Sequence, residues 1–214
     1  MNKIAIFDAD GTVLDTLEDI CDCMNQAFVH FGYNTYTYET MRKSVGLNSD
    51  ELVRNILGDV TKERASEIWD YYITIVEKKG TVKTKVFSGM KEVLTALKAR
   101  GYYLSLFTNK TADELAPFIP LFLDALGFDD ISPVGGTEMV KPSPKRINAL
   151  LKQFDVLKEN AFVVGDGETD VLTALNAGVT PVAVLWGNRD KEQLEKVGAK
   201  LFANEPRDLL DIIK

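Results

Sequence analysis

The sequence is poor in cysteine and in long apolar runs. Its 214 residues include two cysteines, Cys21 and Cys23, whose i, i+2 spacing on a predicted helix points the side chains apart. This spacing argues against a disulfide between them and favours two partly buried thiols. No apolar run approaches the roughly 18–20 residues that a membrane-spanning helix needs, and the N-terminal residues show no basic-then-apolar signal pattern. We therefore expect a cytoplasmic protein with no membrane partner.

Basic residues are also in deficit. The chain has 25 Lys and Arg against 32 Asp and Glu, which gives a formal net charge of −7. This charge argues against a nucleic-acid backbone or an anionic membrane surface as the main partner. It still permits a small anionic ligand, because a local positive site with a metal can override the global field. The one histidine, His30, lies near a predicted helix end, where a surface or packing role is favoured.

Apolar runs alternate with amphipathic segments over most of the chain. Residues 4–7 form an apolar run typical of a strand buried on both faces. Further strands are predicted at 103–107, 131–134, 161–164, 181–185 and 200–203. Helices are predicted at 90–100, from Thr111 with breaks at Pro117 and Pro120, from about 145 to 154, and up to Ala177. This alternation predicts an α/β fold, a Rossmann-like doubly wound parallel sheet with helices on both faces.

Residues 16–80 interrupt the alternation with four consecutive predicted helices. Their signals are an apolar 3.6-residue period from Leu17 to Phe31, candidate caps at Thr37, Ser49 and Thr61, and glycines at 32, 58 and 80. The chain length suits one domain of about 150 residues with a substantial insert. We expect a catalytic core made of residues 1–15 and 81–214, with an inserted four-helix domain at 16–80.

Polar residues cluster after three of the predicted strands, and a lysine lies ahead of a predicted helix. These candidate site residues are Asp8, Asp10, Thr108, Asn109, Lys141, Asp166 and Asp170. Because the carboxyl ends of parallel strands lie along one edge of a sheet, residues distant in sequence can converge there. Asp8 and Asp10 face the same side, roughly 6–7 Å apart, if the chain stays extended.

This residue set suits attack by a carboxylate on a phosphate monoester. Two like charges 4 Å apart repel by about 4 kcal/mol at an effective dielectric constant of 20, so the site needs cations. Several carboxylates at one edge suit a hard cation such as Mg²⁺, and Lys141 adds positive charge. Thr108 and Asn109 could hold phosphoryl oxygens. Asp10 could protonate the leaving oxygen and later deprotonate water.

Four short motifs resemble those of the haloacid dehalogenase-like superfamily, within its phosphoglycolate-phosphatase-like branch that carries an α-helical cap. They are Asp8-Ala9-Asp10-Gly11-Thr12, Phe107-Thr108-Asn109, Lys141-Pro142, and Gly165-Asp166 with Asp170. The family usually has Leu at the position of Ala9. The motifs occur in the family's order, each on the expected element, and the resemblance covers essentially the whole chain.

The resemblance implies a role for each candidate residue. Asp8 would be the nucleophile that forms an aspartyl-phosphate, and Asp10 the general acid and base. The metal ligands of a Mg²⁺ ion would be Asp8, Asp10 through its backbone carbonyl, Asp166 and Asp170. Thr108, Asn109 and Lys141 would bind the phosphoryl group. The partner would be a small phosphorylated metabolite, the helices at 16–80 would form the cap, and the protein would be a monomer or weak homodimer.

Several alternatives remain open at this point. A dehalogenase of the superfamily lacks the second acidic residue, so Asp10 argues against it. A β-phosphoglucomutase typically has a cap histidine where Ile20 stands and a lysine before a cap glycine, where Val45 precedes Gly46. A pyrophosphatase or nucleotidase of the same branch stays possible. The alternative from another class is a non-enzymatic phospho-receiver module, in which the phosphorylated aspartate follows the third strand and no helical bundle is inserted.

Overall fold

The computed structural model describes residues 1–45, 49–79, 81–136 and 138–214, apart from the side chains of Ser49 and Asp50. Its strands are β1 (Asn2–Phe7), β2 (Leu14–Asp15), β3 (Lys85–Val86), β4 (Tyr102–Phe107), β5 (Asp130–Ser132), β6 (Val156–Gly165), β7 (Thr180–Val184) and β8 (Phe202–Ala203). Its α-helices are α1 (Leu17–His30), α2 (Tyr38–Arg42), α3 (Ser49–Leu57), α4 (Lys62–Lys79), α5 (Met90–Ala99), α6 (Ala112–Leu115), α7 (Lys145–Gln153), α8 (Glu168–Ala177), α9 (Lys191–Lys196) and α10 (Leu209–Ile212).

Six strands form one parallel sheet in the order β5-β4-β1-β6-β7-β8, while β2 and β3 form a separate two-stranded sheet. The chain adds strands on one side of β1 and then crosses to the other side. This reversal places a topological switch point at the carboxyl end of β1, which is where open α/β sheets bind ligands. The predicted doubly wound α/β fold is confirmed.

The side chains of β1 alternate between two apolar cores, as expected for a strand covered on both faces. Ala5 and Phe7 pack with the core that includes Leu94 of α5. Ile4 and Ile6 pack with the opposite core, which includes Leu150 of α7. These four side chains are fully buried. The rigid centre of the sheet therefore ends directly at Asp8.

The chain divides into two compact units, one of Met1–Asp15 with Val86–Lys214 and the other of Thr16–Lys85. The first unit holds the parallel sheet. The second is helical and has its own apolar core, which includes Leu17, Met24 and Phe28 of α1. No helix among the described residues is both long and apolar enough to span a membrane.

The division places the second junction between Lys85 and Val86, whereas the sequence suggested 80/81. The reason is Asp19, a buried carboxylate in the first turn of α1. Its Oδ2 accepts hydrogen bonds from the backbone N–H groups of Lys83 (2.9 Å) and Thr84 (2.7 Å) and from the Thr84 hydroxyl (2.8 Å). These three bonds attach the returning segment to the helical unit.

Most predicted elements are present, with shifts at their ends. Thr37 caps α2, because its hydroxyl accepts from the N–H of Thr40. Thr111 caps α6, which is only four residues long, and Pro120 lies in the following π-helix, Ile119–Leu123. The strand predicted at 131–134 is observed as β5, which ends at Ser132. The strand predicted at 200–203 is observed as β8, which is only two residues long. The Ser49 cap and the Gly80 helix end lie outside the described residues. Cys21 and Cys23 are buried free thiols.

Replacing Asp19 with alanine should destabilise the helical unit. Asp19→Ala leaves two backbone N–H groups without their acceptor, and hydrogen bonds to charged groups contribute about 1.5–3 kcal/mol each. We expect the free energy of unfolding to fall by about 2–4 kcal/mol in urea denaturation. The matched control is Asp70→Ala at an exposed position of α4, which should change it by less than about 0.5 kcal/mol. Equal stabilities of the two variants would contradict this account.

Candidate active site

Asp8 follows directly from β1, and its position is set by the sheet. The N–H of Asp8 donates to the carbonyl of Val164 on β6 at 2.9 Å. The chain then turns back, because the N–H groups of Val13 and Leu14 both donate to the carbonyl of Ala9. The sheet edge and this turn together fix the direction of the Asp8 carboxylate.

The ammonium group of Lys141 lies between two carboxylates. Its Nζ is 2.7 Å from Oδ1 of Asp8 and 2.6 Å from Oδ1 of Asp170. The Lys141 and Asp170 side chains are each 3% exposed, and that of Asp8 is 11% exposed. Asp170 also accepts from the N–H of Gly167 at 3.0 Å through its other oxygen. The two ion pairs are therefore shielded from water, and Lys141 joins the end of β1 to the first turn of α8.

Asp166 is held by groups from two further loops. Its Oδ2 accepts from the backbone N–H of Asn188 at 2.6 Å, and its Oδ1 accepts from the hydroxyl of Thr12 at 3.3 Å. Asp8, Asp166 and Asp170 each offer an oxygen, and these three oxygens lie within 4.8 Å of one another. Among the described residues, this group of carboxylates is the one close enough to share a metal ion.

Two glycines allow the backbone to approach these carboxylates. A Cβ on Gly165 would lie 2.2 Å from Cγ of Asp170. A Cβ on Gly187 would lie 2.3 Å from Cβ of Asp166 and 2.5 Å from the carbonyl oxygen of Gly11. Such distances are far below van der Waals contact, so any side chain at either position would displace a carboxylate.

Burial and mutual repulsion change the proton affinity of the cluster. Burial raises the pKa of Asp8 well above its usual value; Lys141 opposes this rise, and Asp170 adds to it. Burial, followed by repulsion from Asp170, raises the pKa of Asp166 to about 6, although the N–H of Asn188 opposes the rise. Burial alone would lower the pKa of Lys141, but attraction by Asp170 and Asp8 outweighs it and raises that pKa. The cluster thus has more negative charge than its own groups neutralise, which favours a bound cation.

Thr108 and Asn109 follow the end of β4, and Asn109 contacts Lys141. Thr108 is 2% exposed, its N–H donates to the carbonyl of Ser132 at 3.2 Å, and its hydroxyl accepts from the N–H of Lys110 at 3.2 Å. The side-chain oxygen of Asn109 accepts from the backbone N–H of Lys141 at 2.8 Å. Asn109 therefore positions Lys141 through its backbone.

The side chain of Asp10 has a different partner from the other acids. Its Oδ2 lies 2.8 Å from Nζ of Lys110, and the two side chains are 13% and 15% exposed. The role of the Asp10 backbone carbonyl as a metal ligand stays a prediction.

Sequence reasoning missed four contributors to the site. Asn188 acts through its backbone N–H, and Gly187 through its lack of a side chain, so neither has a recognisable side-chain signature. Lys110 follows Thr108 and Asn109 at the end of a strand, and this position could have singled it out. Trp186 supports the turn that follows Asp8, because its Nε1 donates to the carbonyl of Thr12 at 3.1 Å.

Known proteins are similar to this chain over most of its length. The family model described as "Haloacid dehalogenase-like hydrolase" matches residues 5–184. The chain is 26% identical over 222 residues to the phosphoglycolate phosphatase of Vibrio parahaemolyticus, covering 99% of this chain and 96% of that protein. It is 29% identical over 188 residues to the phosphoglycolate phosphatase of Aquifex aeolicus, covering 86% of this chain and 85% of that protein.

A solved structure supports the fold. A haloacid dehalogenase-like family hydrolase from Streptococcus pneumoniae superposes with a TM-score of 0.87 at 22% identity, covering 100% of this chain and 99% of that one. The family match spans most of the chain and includes Lys141 and all the clustered carboxylates. The chain belongs to the haloacid dehalogenase-like hydrolase family.

Proposed function

We propose that this protein is a Mg²⁺-dependent phosphatase that hydrolyses a small phosphate monoester through an aspartyl-phosphate on Asp8. The observation that supports this most directly is the placement of Lys141 between Asp8 and Asp170, with Asp166 in the same cluster. A buried carboxylate beside a buried ammonium can approach a phosphoryl group, which an isolated carboxylate would repel. In this proposal the seven candidate residues have the roles that the family resemblance implies.

The carboxylate cluster fits a magnesium ion. Mg²⁺ prefers oxygen ligands, usually one or two carboxylates together with water and substrate phosphate. Asp8, Asp166 and Asp170 supply such oxygens within 4.8 Å of one another. The pKa of Asp166 is raised by burial and then by repulsion from Asp170, and a cation would offset that repulsion. Asp8 and Asp166 would hold the ion directly, and Asp170 directly or through water. When bound, the ion supplies charge neutralisation for phosphoryl transfer.

The chain's own residues account for both half-reactions. In the first, an oxygen of Asp8 attacks phosphorus while the bond to the leaving oxygen breaks, and Asp10 gives its proton to that oxygen. In the second, water attacks phosphorus, Asp10 takes a proton from the water, and the bond to Asp8 breaks. The products are an alcohol and phosphate, and both aspartates return to their starting states. Lys141 and Thr108 stabilise the phosphoryl oxygens throughout.

The names of the relatives support a small, anionic substrate. Those matched here carry the name phosphoglycolate phosphatase and align over nearly their whole length, so a small phosphorylated acid is the first candidate. Asp8 follows the first strand, with the helical unit after it, which disfavours a receiver module. Ile20 is a buried apolar residue of the helical core, so it supplies no group for phosphoryl return in a mutase. The role of the helical unit as a cap, the cytoplasmic location and the oligomeric state stay predictions.

Replacing Asp8 with asparagine should abolish phosphatase activity. Asp8→Asn keeps the side-chain shape but removes the nucleophile, and loss of a catalytic nucleophile typically costs at least about a thousandfold in kcat. Phosphate release from a panel of phosphorylated metabolites, including glucose 1-phosphate, gives the measurement. The control Asp113→Asn changes an exposed aspartate of α6 and should keep wild-type turnover. Turnover of Asp8→Asn within tenfold of wild type, in a folded protein, would exclude the covalent route.

Removing a metal ligand should weaken magnesium binding independently of activity. A chelator should abolish phosphate release, and added Mg²⁺ should restore it. In thermal unfolding, Mg²⁺ should raise the melting temperature of wild type by mass action, and Asp166→Asn should need at least about 10–100-fold more Mg²⁺ for the same rise. The scans use about pH 8, above the pKa of Asp166. Asp113→Asn again serves as the control. An identical Mg²⁺ response in Asp166→Asn and wild type would contradict the proposed metal site.

A further inference from the structure

Lys110 is a second lysine beside the catalytic carboxylates, and the mechanism above gives it no role. Its Nζ lies 2.8 Å from Oδ2 of Asp10, and its side chain is only 15% exposed. Lys141, by contrast, contacts Asp8 and Asp170. The two lysines therefore pair with different catalytic aspartates. Lys141 pairs with the proposed nucleophile, Asp8, and Lys110 pairs with the proposed general acid, Asp10.

The local structure holds Lys110 in place. Its carbonyl accepts from the N–H of Val134 at 2.8 Å, and its N–H donates to the hydroxyl of Thr108 at 3.2 Å. Its ammonium lies 5.5 Å from the ring centroid of Phe118, a cation–π distance. The next residue, Thr111, forms a capping box with Glu114 at the start of α6. Because these contacts already restrict the side chain, little further conformational entropy is lost when its ammonium binds a ligand.

The position of Lys110 relates it to the leaving group. A general acid must lie about 2.6–3.2 Å from the oxygen that it protonates. Because Nζ of Lys110 is 2.8 Å from an oxygen of Asp10, the ammonium would lie within roughly 6 Å of the leaving oxygen. A carboxylate joined to that oxygen through one carbon falls within this range. The ammonium of Lys110 is therefore close enough to pair with an anion carried by the leaving group.

We propose that Lys110 is a specificity-determining residue that selects phosphate monoesters with a carboxylate one carbon from the leaving oxygen. This inference rests on the proposed phosphatase function and on the role of Asp10 as the acid. Lys141 serves the phosphoryl group, whereas Lys110 serves the carboxylate of the leaving group. A second cation at the site also supplies local positive charge in a chain whose net charge is −7, and this favours a substrate with two anionic ends.

Two substrates of equal carbon number separate this role from a general effect on catalysis. Phosphoglycolate carries the carboxylate, and ethyl phosphate has the same two carbons without it. Lys110→Met removes the ammonium and keeps an unbranched apolar stem. Because hydrogen bonds to charged groups contribute about 1.5–3 kcal/mol, kcat/KM for phosphoglycolate should fall about 10- to 100-fold more than kcat/KM for ethyl phosphate. The excess loss should appear mainly in KM if the carboxylate is bound equally in the ground state and transition state.

Three further proteins complete the experiment. Lys110→Arg keeps the charge and should retain most of the preference for phosphoglycolate. Lys152→Met, at an exposed position of α7, should match wild type on both substrates. Asp8→Asn provides the blank, so that only hydrolysis through Asp8 is counted.

The outcomes distinguish failure of this inference from failure of the phosphatase proposal. Equal losses on both substrates in Lys110→Met would show that the lysine only positions Asp10, and would overturn the specificity role. A wild-type protein that hydrolyses both esters without preferring phosphoglycolate would also overturn it, while leaving the phosphatase function intact. Absence of Asp8-dependent hydrolysis of any ester in the metabolite panel would instead overturn the proposed function itself.

Discussion

The structure of the site depends on one buried ammonium group shared by two carboxylates. Lys141 contacts Asp8 at 2.7 Å and Asp170 at 2.6 Å, with all three side chains largely shielded from water. Removing one partner of a buried ion pair costs about 3–5 kcal/mol, because the remaining charge stays buried and uncompensated. Lys141 therefore fixes Asp8 relative to the first turn of α8. In the proposed mechanism it also supplies the charge that would let an anionic substrate approach Asp8.

The second constraint is close packing of the backbone around the other carboxylates. Gly165 and Gly187 approach Asp170 and Asp166 so closely that no side chain fits at either position. Backbone N–H groups of Gly167 and Asn188 then donate directly to these carboxylates. Donors of this kind cannot reorient, so the carboxylates are held in one geometry. Asp166 and Asp170 are thus positioned mainly by the backbone, whereas Asp8 is positioned by the sheet and Lys141.

Much of this arrangement was predictable from the sequence, for physical reasons. The buried run 4–7 and the alternating helices predicted the parallel sheet, and parallel strands bring their carboxyl ends to one edge, so the clustering of Asp8 and Asp166 followed. Lys141 lies ahead of a helix, and only the family resemblance indicated that it would join them. Other features were not predictable. The Asn188 N–H and the bare Gly187 leave no side-chain signature, and the junction at Lys85 depends on where the Asp19 carboxylate points. The pairing of Lys110 with Asp10 depends on a rotamer and on the turn after β4, neither of which a residue pattern encodes.

The central claim is that Asp8 carries the phosphoryl group during turnover. A single-turnover reaction with excess enzyme and phosphoglycolate, quenched in acid at successive times and examined by peptide mass spectrometry, tests it most directly. The account predicts a phosphoryl group on the peptide at Asp8 that appears early and decays as inorganic phosphate accumulates. Phosphate accumulating with no phosphoryl group on Asp8 at any time, or with the group on another residue, would contradict it.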